Sequence, residues 1–277
     1  MSGRRYSRKE QSFYRPSSPK PPAAPIPHIF ISIFTARERH HWICPELAME
    51  LVRIAFGAAG GAYRVTFGPP IFGVYPVSAA RNLAVEKHFL STDADIHVMF
   101  DNDIGPAPRI LDGILSLPTD AAIGVFPYWV WDPQQLRPAL CFGQWIDKDG
   151  KKQMLSGDYK GSGWHPGGAG GTGAICIRRA AYDLLEKPYF RILHSDYEGQ
   201  TMSEDIWFTH KVHEAGGKVM MTTDYVCSHY HTLDLAEINL GMNAVCRKYV
   251  EKVREAYGEH GIEVPKLNEM LAGQGKK

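Results

Sequence analysis

Short apolar runs alternate along this chain with segments whose apolar residues recur every three or four positions. The runs at His28–Thr35, 62–68, 98–100 and 121–129 are bounded by turn residues and predict strands. The segments 44–60, 77–92 and 108–117 have the helical period, and Ser78 is the predicted N-cap of the second. Strands and helices alternating at this spacing predict an α/β domain built on a mostly parallel, doubly wound sheet.

The middle of the chain predicts a smaller mixed region. Residues 132–161 predict a segment that leaves the main sheet and contains a β-hairpin, with its turn at 148–150. A glycine-dense stretch follows at 161–185. It lacks the Gly-Lys-Ser/Thr ending of a phosphate loop, so glycines that let the backbone approach a ligand closely are the simpler interpretation.

The last third predicts a return to the sheet. A helix is expected from about 204 to 215, and the glycine pair 216–217 ends it. A strand that ends in His229 and His231 follows, and an amphipathic helix near 235–257 closes the domain. These two histidines share a face in extended backbone, so both are candidates for a site at the strand end.

Composition and charge bound the domain organisation. The chain has 277 residues, 44% of them hydrophobic, and a net charge of +1, which fits one globular domain and excludes a general polyanion binder. Residues 1–27 are rich in Arg, Lys, Ser and Pro and predict a disordered basic tail. A plain solvated tail is the favoured interpretation, and contact with nucleic acid or anionic lipid is the alternative. We expect a single domain at 28–260 and a polar tail at 261–277.

The cysteines and the hydropathy bear on the compartment. The five cysteines form no CxxC pair, so no disulfide framework or zinc knuckle is indicated, and free thiols suit a cytoplasmic protein. No apolar run approaches a bilayer-spanning length and no signal peptide is evident, so we expect no stable membrane insertion. The sequence gives no indication of the oligomeric state.

The clearest candidate chemistry lies in the segment "FDND". Asp101 and Asp103 directly follow a buried strand, where open α/β sheets place their ligands. Two such oxygen donors suit Mg²⁺ or Mn²⁺ bridging a diphosphate, and a late-strand histidine would extend a Mn²⁺ shell. A solvated turn remains the alternative, because Asp and Asn are ordinary turn residues.

Four segments carry a resemblance to a known family. "VSAARN" (77–82), "FDNDI" (100–104), "GGTGAICIRR" (170–179) and "SEDIWFTHKVHEAGGKV" (203–219) are similar, in this order, to motifs of the GT-A glycosyltransferases, most closely the family 2 group. The resemblance covers about 28–231. It implies a GT-A (nucleotide-diphospho-sugar transferase) fold with a mixed acceptor-side region. It also implies that the protein is a metal-dependent glycosyltransferase of the hexosyltransferase type. Such an enzyme transfers a sugar from a nucleotide diphosphate sugar to an acceptor hydroxyl, and the expected donor is a UDP-sugar.

The resemblance also implies a site. The nucleotide-sugar-binding residues are expected to be Thr35, Arg37, Arg81, Asp101, Asn102, Asp103, Gly171, Thr172 and Gly173. The expected ligands of a Mn²⁺ or Mg²⁺ ion are Asp101, Asp103, His229 and His231, with Asp103 and His229 preferred. Asp205 is the expected base if transfer inverts, with Glu204 as a supporting or acceptor-binding carboxylate, and helix capping is the alternative role for both.

Several points stay open. Trp164 and His165 are candidates for sugar contacts, as are Trp129, Trp131 and Trp145, although core packing is favoured for any one of those three. The acceptor is a saccharide, a small molecule or a hydroxylated nucleic-acid base, and inversion or retention is not fixed. A sugar-nucleotide pyrophosphorylase is a second hypothesis, but the segment 32–42 lacks its glycines. A non-catalytic sugar-binding module is a third.

Overall fold

A computed structural model of the chain describes residues 26–35, 43–132, 137–148, 151–156, 162–167, 169–194, 201–230 and 251. The strands are β1 (His28–Thr35), β2 (Arg64–Phe67), β3 (Ile71–Phe72), β4 (Ile96–Asp101), β5 (Ile104–Gly105), β6 (Ala121–Val125), β7 (Trp129–Asp132), β8 (Arg137–Leu140), β9 (Phe142–Lys148), β10 (Lys151–Ser156), β11 (Trp164–Pro166), β12 (Ala169–Gly170), β13 (Ala174–Arg178), β14 (Leu193–His194), β15 (Thr201–Met202), β16 (Lys218–Thr222) and β17 (Ser228–His229). The helices are α1 (Pro45–Ala59), α2 (Val77–Leu83), α3 (Ile110–Ser116), α4 (Arg179–Asp183) and α5 (Glu204–Glu214), and a π-helical segment (Ala84–Phe89) continues α2.

The central sheet has the strand order β11-β16-β6-β13-β4-β1-β2, with β3 also beside β1. Strands β2, β1 and β4 are parallel to one another, as are β6 and β16. Strand β13 runs antiparallel between β4 and β6. This mostly parallel sheet confirms the predicted α/β class, and the separate sheet β10-β9-β12 is antiparallel.

The sheet is covered on both faces, which explains the continuous apolar runs of its central strands. All residues of β4 from Ile96 to Phe100 are buried. One buried cluster packs residues such as Phe89 and Phe208, and a second packs residues such as Leu47 and Ile114. None of the described helices is long and apolar enough to cross a bilayer.

The start of α2 differs from the prediction. Pro76 occupies the N-cap position with extended backbone, and Ser78 is buried inside the first turn instead of capping it. The predicted cap at Ser78 is therefore wrong. The helix begins at Val77, and Pro76 before it has the extended backbone, with φ −69° and ψ 167°, that is usual at an N-cap.

The late strand is also divided. Strand β16 lies in the central sheet, whereas β17 leaves it and pairs with β5 in antiparallel register, His229 opposite Ile104. This pairing brings His229 next to the turn that carries Asp103. The turn 149–150, His231 and most of the predicted 235–257 helix lie outside the described residues, so the proposed bounds of the domain and of its tails remain predictions.

Candidate active site

Strand ends and one strand start converge at a single edge of the central sheet. The backbone N–H of Asn102, directly after β4, donates to the carbonyl of Phe34 in β1 at 2.9 Å. The N–H of Asp101 donates to the carbonyl of Gly173, which precedes β13, also at 2.9 Å. Because β1 and β4 are parallel and β13 is antiparallel, their end and start segments meet where such sheets bind ligands.

A cavity of about 530 Å³ opens at this edge. It is lined by Phe34, Thr35, Val74, Tyr75, Pro76, Val77, Ala80, Asp101, Asn102, Asp103, Tyr128, Ile192 and His229. These lining residues include two carboxylates and no lysine or arginine. The cavity therefore combines an apolar wall with a concentrated negative charge.

Arg81 lies behind the carboxylates and does not line the cavity. Its side chain is only 3% exposed, and its guanidinium lies 5.0 Å from the centre of the Phe34 ring. Nη2 donates to both oxygens of Asp101 at 3.1 Å, and Nε donates to Oε1 of Glu204 at 3.2 Å. Arg81 thus bridges two carboxylates, and its predicted contact with a nucleotide stays a prediction.

The electrostatics of this bridge follow from its burial. Burial raises the pKa of Asp101 to about 6; Arg81 opposes that rise, and the charges of Asp103 and Glu204 add to it. Burial lowers the pKa of Arg81, but Asp101 and Glu204 outweigh it and the net pKa is raised. One guanidinium thus faces several carboxylates, which leaves an excess of negative charge at the sheet edge.

Asp103 and His229 form the second pair. His229 Nε2 lies 3.6 Å from Asp103 Oδ2, and the N–H of Tyr230 donates to the Asp103 carbonyl at 2.8 Å. The His229 ring packs edge-on against Tyr128, with 4.8 Å between the ring centroids. The pairing of β17 with β5 and the Tyr128 contact fix the imidazole beside the carboxylate.

This pair fits a divalent cation. Two ligand atoms about 2.1 Å from one ion are about 3.0–4.2 Å apart for angles from 90° to 180°, and the observed 3.6 Å lies within that interval. Within the described ranges no three His, Cys, Asp or Glu side chains converge as a metal cluster. The remaining ligands would be substrate oxygens, water or residues outside those ranges, such as His231. Asp101, engaged by Arg81, is the weaker of the two predicted aspartate ligands.

Asp205 lies in the first turn of α5, at the helix end that favours negative charge. Its Oδ1 accepts hydrogen bonds from Ser203 Oγ and from the Ile206 N–H, the latter at 2.8 Å. Burial and a hydrogen bond with Cys141 hold the pKa of Tyr128 well above its usual range, and the charge of Asp205 contributes. Asp205 is not among the described residues that line the cavity, but its charge acts on Tyr128, which is.

The glycines before β13 lie close to side chains of the protein itself. A Cβ at Gly171 would overlap Tyr128 Oη, and one at Gly173 would lie 2.8 Å from an Ile104 side-chain carbon. These positions are glycine because the protein's own side chains approach them. Between them Thr172 is fully buried, and its hydroxyl has no hydrogen-bond partner among the described residues.

Other candidates lie away from the cavity or outside the described residues. Trp164 packs edge-on against Phe126 with centroids 5.5 Å apart, and its Nε1 donates to Ser116 Oγ at 3.2 Å. His165 hydrogen-bonds the Ser162 carbonyl at 3.1 Å. Neither residue lines the cavity, so the expected sugar contacts are not supported.

Trp129 is half exposed and also absent from the lining. The structure does not describe the remaining candidates, which are Arg37, His231 and the side chains of Trp131 and Trp145.

Two lining aromatics were missed by the sequence reasoning. Tyr128 follows β6, and the rule that placed Asp101 at the end of β4 would have placed Tyr128 at the same edge. Tyr75 is 87% exposed at the mouth of the cavity. Tyr75 could not be predicted in the same way, because it lies before α2 and the sequence does not show that the segment before α2 faces the end of β1.

No protein-family model and no curated protein matches this sequence. Among solved structures, GalNAc-T7 with UDP, GalNAc and Mn²⁺ is 12% identical with a TM-score of 0.43 over 74% of this chain and 44% of that one. Drosophila β1,4-galactosyltransferase 7 with manganese, UDP-Gal and xylobiose is 15% identical, with a TM-score of 0.38 over 73% and 71%.

A glycosyltransferase involved in glycosylation of the major capsid of PBCV-1 is 12% identical, with a TM-score of 0.38 over 79% of this chain and all of that one. A197 from STIV is 13% identical, with a TM-score of 0.46 over 74% and 86%. These similarities are similarities of fold alone.

Proposed function

We propose that this chain is a metal-dependent glycosyltransferase that moves a sugar from a nucleotide diphosphate sugar, with UDP as the first nucleotide to test, to an acceptor hydroxyl. The observation that carries the proposal is the cavity at the sheet edge. Among the residues that the structure describes, its lining combines Asp101, Asp103 and His229 with an apolar wall and includes no lysine or arginine.

The charge of this cavity constrains what binds there. A diphosphate is itself negative and would be repelled by Asp101 and Asp103. A Mn²⁺ or Mg²⁺ ion held by Asp103 and His229 would convert that repulsion into attraction. When bound, such an ion supplies Lewis-acid stabilisation of the negative charge that develops on a departing diphosphate.

The opposite wall fits a nucleoside. Phe34, Val74 and Pro76 are apolar, and the exposed ring of Tyr75 offers a face on which a base can stack. Thr35 ends β1 beside this wall, and its hydroxyl donates to the Ile71 carbonyl at 3.4 Å. These residues would orient the base while the carboxylates lie toward the diphosphate.

If transfer inverts, Asp205 is the proposed base for the acceptor hydroxyl. The Ser203 hydroxyl and the Ile206 N–H hold its Oδ1, so the carboxylate is oriented before substrate binds. Among the described residues its Oδ2 accepts no hydrogen bond and can take a proton. Glu204 is 7% exposed and bound to Arg81, which supports a structural task for it and not acceptor binding.

A donor-turnover assay tests the proposal. The full chain is incubated with a panel of UDP-sugars and Mn²⁺, and released UDP is measured alongside released pyrophosphate. We expect UDP release that depends on Mn²⁺ and is lost in Asp103→Asn. Asp120→Asn is the control and should retain UDP release, because Asp120 is an exposed aspartate that pairs with Lys218 outside this cavity. Pyrophosphate release would favour a pyrophosphorylase, and binding without turnover by the native chain would favour a sugar-binding module.

The acceptor needs its own screen. Saccharides, small hydroxylated molecules and DNA with hydroxylated bases are the three classes to test with whichever donor is turned over. Product that carries the donor sugar, detected by mass, identifies the class, and the anomeric configuration of that product decides between inversion and retention.

A further inference from the structure

Arg81 hydrogen-bonds to two carboxylates that belong to different parts of the site. Asp101 ends β4 and lines the cavity, whereas Glu204 begins α5 and does not line it. Both oxygens of Asp101 accept from Nη2, and Glu204 accepts from Nε. Among the described residues, Arg81 is the one side chain that hydrogen-bonds to both.

The position of Arg81 argues against a direct ligand contact. The side chain is 3% exposed, lies over the Phe34 ring and is absent from the cavity lining. A planar guanidinium with several fixed donors holds two carboxylates at defined angles, which the point charge of a lysine does not do. In a buried network the geometry of each partner depends on the others.

We infer that Arg81 is a positioning residue, which couples the donor carboxylate Asp101 to the start of α5 through Glu204. The inference rests on the proposed function, because Asp101 matters here as part of the donor site. If the bridge sets the position of Asp101, a change at Glu204 will alter nucleotide binding although Glu204 does not line the cavity. A purely structural ion pair would change stability and leave nucleotide binding unaltered.

Calorimetric titration of the full chain with UDP in the presence of Mn²⁺ tests this coupling without a known acceptor. We expect Glu204→Ala and Arg81→Met each to weaken UDP binding about three- to tenfold, the usual size of coupling within one network. The double variant should bind no more weakly than Arg81→Met alone. Glu86→Ala removes another ion-paired carboxylate, bound to Lys187 outside the cavity, and should bind UDP like the native chain.

Two further variants keep the test decisive if Glu204→Ala or Arg81→Met does not fold. Glu204→Gln keeps the side-chain volume, and Arg81→Lys keeps the charge but cannot span both carboxylates; both should weaken UDP binding in the same direction. Native affinity in every folded Glu204 variant, or additive losses in the double variant, would overturn the coupling while leaving the glycosyltransferase proposal intact. Failure of the native chain to bind any of a panel of nucleoside diphosphates with Mn²⁺ would overturn the proposed function and the coupling with it.

Discussion

The imidazole Nε2 of His229 lies 3.6 Å from the carboxylate Oδ2 of Asp103, although the two residues belong to distant parts of the sequence. The short pairing of β17 with β5 creates this proximity. A histidine nitrogen and a carboxylate oxygen at this separation form a pair to which a divalent cation binds readily. The pair gives the metal proposal its most direct test.

Removal of either member of this pair should weaken UDP binding in Mn²⁺. Asp103→Asn and His229→Gln should each reduce UDP affinity and UDP release by at least about 10–100-fold. Loss of a residue that only hydrogen-bonds to a metal ligand already has an effect of this size, so loss of the ligand itself should have at least the same effect. Titration with and without EDTA measures the effect. His213→Gln, on an exposed histidine near the end of α5, is the control. Full turnover in EDTA would contradict the metal requirement.

Asp205→Asn should separate chemistry from binding. Asparagine keeps the shape and much of the hydrogen bonding, but it cannot accept the acceptor's proton. If transfer inverts, we expect sugar transfer to the acceptor to fall about 10²–10⁴-fold while UDP affinity stays within about twofold. If Asp205 only stabilises the helix start, the cost is about 1 kcal/mol or less with normal turnover. Asp112→Asn is the matched control for loss of a negative charge at a helix start, because Asp112 lies in the first turn of α3.

His97 should make stability depend on pH. It is fully buried, its two ring nitrogens hydrogen-bond Ser32 and Tyr182 at 2.9 Å, and its ring stacks on Phe89. Burial lowers the pKa of His97 to about 3, and the charges of Arg81 and Arg179 contribute. The folded state therefore binds this proton less readily than the unfolded state, whose histidine pKa is about 6.5.

The stability associated with neutral His97 is fully present above about pH 6.5 and is lost as the pH falls toward 3. Denaturant unfolding at pH 7 and pH 5 should show this fall, with a contribution of about 2 kcal/mol from His97. His97→Gln should remove that contribution, whatever its own stability at pH 7. An identical fall in His97→Gln and the native chain would show that other groups cause it.

Gly171→Ala should destabilise the fold through Tyr128. The added Cβ would overlap Tyr128 Oη, and overpacking of this kind costs about 1–3 kcal/mol in free energy of unfolding. Tyr128→Phe removes the nearest atom, so the double variant should recover part of the loss. Gly167→Ala is the control, because its Cβ would meet only ordinary contacts of 3.4 Å or more. Equal losses at both glycines would rule out the Tyr128 explanation.

The strand-end positions were the part of the site most accessible from the sequence. The buried run before Asp101 and the helix pattern after Ser203 placed both carboxylate motifs, and the structure has β4 ending at Asp101 and α5 beginning at Glu204. Local periodicity determines where such elements end. The positions of these residues on their elements were therefore predictable.

Side-chain partners across the fold were not accessible in the same way. Arg81 and Glu204 are separated by 123 positions, and no local pattern shows that an arginine on one helix hydrogen-bonds to the start of another. The glycines near Tyr128 illustrate the same limit, because their reason is the volume of a distant ring. Trp164 packs in the core because β11 joins the far edge of the sheet, which also depends on long-range pairing.

The antiparallel direction of β13 has a consequence for how this protein can change. Strand β6 ends at Val125 and β13 begins at Ala174, and the Phe126 N–H donates to the Ala174 carbonyl at 3.1 Å. The chain between them thus leaves and re-enters the sheet at neighbouring points. The entropic cost of closing such an excursion rises slowly with its length. The hairpin of β9 and β10, residues 144–156, lies outside the central sheet, so its sequence can be exchanged to give the scaffold new partners while β11, Asp101 and Asp103 keep their places.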